Sequence, residues 1–194
     1  MVQVVDLYKV QYLTGRFETV DAQSIASMVL KRYHKNMVMD KDSDSIRNED
    51  VRIEFNRDIQ NLASLFCKTW EAHYPDQPIE LCWNSTIKED PNTAFWAVVH
   101  DKGEMTNLHS HETAENYEGG AHVSAAFWVQ CQEGSGDFVF QVRPNPYTID
   151  QIIIKPTVGG YALFDSTIPH FVTKNCTTSL RIVISMNFKF IETT

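Results

Sequence analysis

The chain has 194 residues, 43% of them hydrophobic and 22% charged. That is about one domain's worth of chain with an ordinary globular balance, which excludes wholesale disorder and leaves enough residues for a core. Acidic residues outnumber basic ones by 25 to 17, for a formal charge of −8, which argues against a nucleic-acid partner. No apolar run nears the roughly 18 residues of a membrane span, and Met1–Lys9 lacks a basic, apolar leader. The expected setting is cytoplasmic, with no membrane partner. Cys67, Cys82, Cys131 and Cys176 form no Cys-x-x-Cys pair and read as mostly buried thiols.

Residues 1–20 alternate loosely (Val2, Val4, then Leu7) and read as one or two strands. From Asp21 to Lys35, Ile25, Met28, Val29 and Tyr33 have helical spacing, with Asp21 or Ser24 as the cap. Residues 36–50 read as a polar loop. Its carboxylates lack the central Gly and terminal Glu of a calcium loop. A second helix is expected from Asp50 to about His73. Its stripe is Phe55, Ile59, Leu62, Leu65, Phe66 and Trp70, and Pro75 stops it. A stripe of this kind is core rather than chemistry.

From residue 79 short apolar runs alternate with turn signals. Nine strands are expected, at 79–83, 94–100, 105–111, 123–132, 137–143, 151–154, 161–164, 171–174 and 180–190. Two helices followed by nine strands imply an α+β chain, mainly β. The strands would form a sandwich or barrel with the helices packed on one side.

His109-Ser-His111 lies on one of these strands, and residues two apart on a strand share a face. Asn107 shares it too. Two imidazoles on one face suit a divalent transition metal, although a lone His-x-His is equally a pair of surface histidines. A glycine turn at Gly159-Gly160 leads into another strand, and the loop beyond it ends in His170. Arg181 follows eleven residues later among apolar neighbours, in Leu-Arg-Ile-Val-Ile-Ser-Met-Asn-Phe. An inward guanidinium needs an anion, either a structural Asp or Glu or a ligand carboxylate.

The ordered set of His-x-His, a distal His and a following Arg resembles the 2-oxoglutarate- and iron(II)-dependent oxygenase superfamily. It is most similar to prolyl-hydroxylase-like members with His-x-His in place of His-x-Asp. The matching stretches are 96–103, 107–111, 124–129, 134–140, 156–170 and 181–188, within residues 80–190 or so. The resemblance implies a double-stranded β-helix (jelly-roll) core with N-terminal supporting helices. It implies a single domain over 1–194, with support in 1–78 and the metal-bearing core in 79–194. His109, His111 and His170 would be the catalytic metal ligands for Fe(II). Arg181 would clamp the far carboxylate of the cosubstrate 2-oxoglutarate. The activity implied is dioxygenation, coupling decarboxylation of 2-oxoglutarate to succinate with hydroxylation of a small molecule or a protein side chain.

Two departures stand out. Position 111 is histidine where the family has a carboxylate, so the ligand is His111 itself, or Glu112 or Glu115 supplies a carboxylate from the loop, or iron chemistry has been lost. An unbent strand would point Glu112 away, which favours His111. Val183 stands where Arg-x-Ser would put a hydroxyl, leaving Asn107 or Ser185 to complete the cosubstrate pocket. Two other readings compete: a cupin-type metalloenzyme using Glu115 and no 2-oxoglutarate, and a non-enzymatic jelly-roll binding module using Trp83, Trp96 and Trp128. His34, His73, His100 and His122 read as bystanders, with His122 able to line the mouth of the site. Residues 112–120 read as a lid or specificity loop. Jelly-roll edges leave a homodimer open.

Overall fold

The computed structural model describes residues 10–39, 50–82, 94–111, 121–145 and 147–191. Strand β1 (Tyr12–Arg16) leads into helix α1 (Ala22–Met39). Asp21 is the cap, its Oδ1 accepting from the Ser24 amide at 3.0 Å. The helix runs to Met39, four residues past the expected end and into the stretch read as loop.

Residues 50–56 are not helical. Strand β2 (Asp50–Val51) pairs with Val98 and Ala97. Val51 and Ile53 are both buried, at the alternate spacing of a strand. Helix α2 (Arg57–His73) starts where the Asn56 side chain accepts from the Ile59 amide at 3.0 Å. It buries Ile59, Leu62, Ala63, Phe66 and Trp70, while Phe55 lies outside the helix and is 37% exposed. The Tyr74 amide closes the last turn on the Trp70 carbonyl, just before Pro75.

Nine strands follow: β3 (Ile79–Leu81), β4 (Phe95–His100), β5 (Thr106–His109), β6 (Val123–Gln130), β7 (Phe138–Asn145), β8 (Thr148–Ile154), β9 (Gly160–Asp165), β10 (His170–Val172) and β11 (Arg181–Phe190). They form two antiparallel sheets. The larger runs β1-β9-β6-β11-β4-β2, with β3 also on β11, and the smaller runs β5-β10-β7-β8. Two facing antiparallel sheets of this order are the double-stranded β-helix, a mainly β fold.

The larger sheet is covered on both faces. Ile182, Ile184, Met186 and Phe188 pack with the helix residues Ile25, Val29, Ile59 and Phe66. Ala126, Trp128, Ala162, Phe164 and Val183 point the other way and meet Phe138, Phe140 and Val172 of the smaller sheet. Covering both faces explains why these strands read as unbroken apolar runs. The helices lie on one side, as the sequence implies.

Of the four cysteines only Cys82 is buried. Cys67 and Cys131 are half-buried, Cys176 is exposed, and all four are free thiols. Among the described residues no helix is long and apolar enough to cross a membrane.

Two substitutions separate the contributions. Asn56→Ala removes the α2 cap and is expected to destabilise by about 1 kcal/mol. Ile184→Ala opens a cavity between sheet and helices and is expected to cost about 2–5 kcal/mol. Denaturant unfolding checks both; equal losses would show that the sheet-to-helix core is not the dominant one.

Candidate metal centre and anion pocket

His109 and His170 face each other across β5 and β10, in direct register. His111 lies just beyond the end of β5, where its amide leaves the ladder and donates to the Ser166 carbonyl at 2.9 Å. The three side chains converge, each offering a nitrogen within 4.8 Å of the others. Their ring centroids are 4.3 to 5.2 Å apart.

Hydrogen bonds fix each ring. His109 Nδ1 donates to the Asn107 carbonyl at 2.8 Å, and His170 Nδ1 to the Ile168 carbonyl at 2.9 Å. His111 Nδ1 lies 2.8 Å from Asn187 Oδ1 and 2.8 Å from Ser124 Oγ. Ser124 in turn donates to Asn187 Oδ1 and meets Ser166 Oγ. A carbonyl oxygen only accepts, so Nδ1 carries a proton in each ring, which leaves Nε2 as the nitrogen available to ligate.

Burial above all pulls His111 down to about 4 and His170 to about 3, and repulsion from neighbouring imidazoles adds to it. Both are therefore neutral at physiological pH, the form that binds metals. His111 Nε2 and His109 Nε2 sit 3.3 Å apart. At that distance the two nitrogens either share a proton or meet one bound cation. Nitrogens about 2.1 Å from one ion and this far apart subtend roughly 100° at it, within the range of imidazole sites. The donor set fits a first-row transition metal held on one face.

The same cleft, about 330 Å³, contains Arg181. Its other walls are mainly apolar: Trp96, Val98, Ala126, Phe138, Val172 and Val183. Arg181 is 1% exposed. Burial lowers its pKa to about 10, which leaves it charged at neutral pH. Its Nε and Nη2 have no hydrogen-bond partner among the described residues, and no ion pair there includes it. The internal salt bridge that would make it purely structural is absent among those residues. A buried cation left in this state calls for an anion.

Asn107 and Ser185 both line the cleft, as does Thr106, which the sequence reading passed over. Glu112, Glu115 and Trp83, like the whole expected lid at 112–120, lie outside the described residues. Of the remaining aromatics read as a ligand face, Trp128 is buried in the inter-sheet core and Trp96 lies beside His111, ring centroids 5.6 Å apart. His122 stacks on Phe190 and accepts from its amide. His100, read as a bystander, is fully buried against Arg181.

No protein-family model and no curated protein sequence matches the chain. Solved structures do match. A Pseudomonas putida prolyl-4-hydroxylase aligns over 96% of each chain at 12% identity, TM-score 0.63. The non-heme alpha ketoglutarate dependent epimerase SnoN of nogalamycin biosynthesis aligns over 92% of this chain and 77% of its own at 11% identity, TM-score 0.60. A viral collagen prolyl hydroxylase from Paramecium Bursaria Chlorella virus-1, in a 2OG complex, aligns over 93% and 96% at 10% identity, TM-score 0.57. The fold is therefore that of the 2-oxoglutarate–Fe(II) oxygenases, in agreement with the resemblance carried by the sequence.

Asn187→Ala removes the acceptor that orients His111 and is expected to weaken Co(II) or Fe(II) binding by about 10–100-fold. A chelator-competition titration measures it. Unchanged affinity would mean that the Asn187 bond does not orient a ligand.

Proposed function

We propose that the protein is an Fe(II)- and 2-oxoglutarate-dependent oxygenase. The observation that carries this reading is one cleft holding both three converging imidazoles and a buried guanidinium with no ion pair among the described residues. His109, His111 and His170 would hold Fe(II), and Arg181 would receive the distal carboxylate of 2-oxoglutarate. A ligand with a carboxylate at each end is suited to bridging a cation-binding triad and an arginine. SnoN has been solved with Fe3+ and alpha ketoglutarate, and the viral hydroxylase with 2OG, which supports the same pairing here.

When bound, the iron and cosubstrate supply, with dioxygen, the oxidative decarboxylation that yields succinate and carbon dioxide and drives substrate hydroxylation. The protein's own part is placement. The Nδ1 hydrogen bonds of three imidazoles leave their Nε2 atoms to ligate. The apolar walls keep the cleft dry, which strengthens every charge interaction inside it. Arg181 fixes the cosubstrate's orientation and supplies the local positive charge that a chain of net charge −8 otherwise lacks for a dianion. The substrate is taken to be a small molecule or a protein side chain. A cupin-type site without 2-oxoglutarate leaves Arg181 with no task.

Adding 2-oxoglutarate to the anaerobic Fe(II) protein is expected to produce a metal-to-ligand absorption band. Arg181→Ala is expected to weaken 2-oxoglutarate by roughly a hundredfold or more while metal affinity is kept. Undiminished succinate formation by Arg181→Ala would remove the assignment.

A further inference from the structure

Arg181 and His100 are direct partners across β11 and β4. Arg181 Nη1 lies 3.4 Å from His100 Nδ1. A guanidinium can only donate, so Nδ1 of His100 holds the lone pair and Nε2 holds the proton. Nε2 lies 2.9 Å from Thr106 Oγ1. The ring therefore donates to the hydroxyl, whose own proton is left for another acceptor. Thr106 makes no second side-chain hydrogen bond among the described residues, and it lines the cleft beside Arg181.

The imidazole is fully buried, and the Asn175 side-chain amide holds its backbone carbonyl at 3.1 Å. Burial, then the charge of Arg181, keeps the ring neutral by pulling it to about 4.

We propose that His100 is a positioning residue for the anion end of the cleft. It takes one N–H of Arg181 and, as the Nε2–H tautomer, commits the Thr106 hydroxyl to donating. One carboxylate then meets donors alone: the remaining Arg181 N–H groups and the Thr106 O–H. A carboxylate in place of this imidazole would neutralise Arg181 and compete with the incoming anion. A neutral imidazole orients the arginine without doing so. This assigns to Thr106 the hydroxyl role that the sequence reading gave to Asn107 or Ser185. The identity of the ligand rests on the oxygenase reading; the hydrogen-bond chain does not.

Two measurements test it. In the metal-free full-length protein, 15N NMR of the histidines is expected to show His100 protonated at Nε2 and bare at Nδ1. The reverse tautomer overturns the proposal without touching the oxygenase reading. In the anaerobic Fe(II) protein, affinities for 2-oxoglutarate and for 2-oxobutanoate, which lacks the distal carboxylate, are compared. His100→Phe is expected to reduce the preference for 2-oxoglutarate by roughly tenfold or more, with His100→Gln restoring part of it. Thr106→Val, which keeps the shape and leaves His100 in place, is expected to act in the same direction and serves if His100→Phe does not fold. A preference unchanged in these variants overturns the positioning role alone. A wild-type protein with no preference for 2-oxoglutarate overturns the oxygenase reading instead, and the carboxylate role built on it.

Discussion

Strand β11 pairs with β6 along one side and with β4 and then β3 along the other, so its two faces serve two different compartments. Its even-numbered residues, Ile182 to Phe188, point at the helices and lock the sheet to them. Its odd-numbered residues from Arg181 to Asn187 point into the jelly roll. Arg181, Val183 and Ser185 line the cleft, and Asn187 orients His111. A shift of one residue in register would bury a guanidinium among the helix side chains and push isoleucine into the cleft. Burying each of the large apolar residues is worth about 1.5–3 kcal/mol, and an unpaired charge in the helical core would cost several more. The interactions that hold the sheet on its helices are thus the ones that fix where the site residues point.

The electrostatics follow from the same arrangement. His111 and His170, pulled well below neutral pH by burial, contribute no charge, and Arg181 contributes one positive charge with no acidic partner among the described residues. Metal binding would add two more positive charges. A site built this way attracts anions strongly, in a protein whose overall charge repels them. The attraction of an anion into the cleft would therefore be local and rest on a few groups, which is why the hydrogen bonds of Arg181 matter more than the chain's net charge.

The sequence was most informative where structure is local. The nine strands from residue 79 onward stand where apolar runs between turn signals place them. Gly134 and Gly136, for example, have φ of 81° and 102° in the turn between β6 and β7. The start of α2 was less legible, because Val51 is drawn into a strand by Val98 and Ala97, more than forty positions away. The shared face of His109 and His111 was legible from spacing, and His170 joined them through the family resemblance. The role of His100 was not, because it arises from pairing with Arg181 across two strands distant in sequence. Thr106 was overlooked for a similar reason: its value depends on a ring above it and not on any motif.

The three ring locks divide in the same way. His109 and His170 each donate to the carbonyl two residues earlier, a local bond that their own strand or loop provides. His111 depends on Asn187, Ser124 and, through Ser124, Ser166, which come from β11, β6 and the loop after β9. Position 111, where the resemblance leads one to expect a carboxylate, is thus the one whose surroundings are drawn from across the fold. Asn187 Oδ1 is an acceptor, suited to an N–H and ill suited to a carboxylate oxygen. With Asn187 in this orientation, histidine at 111 is matched to its neighbours, and the match extends beyond a single residue to the hydrogen-bonding group that meets it.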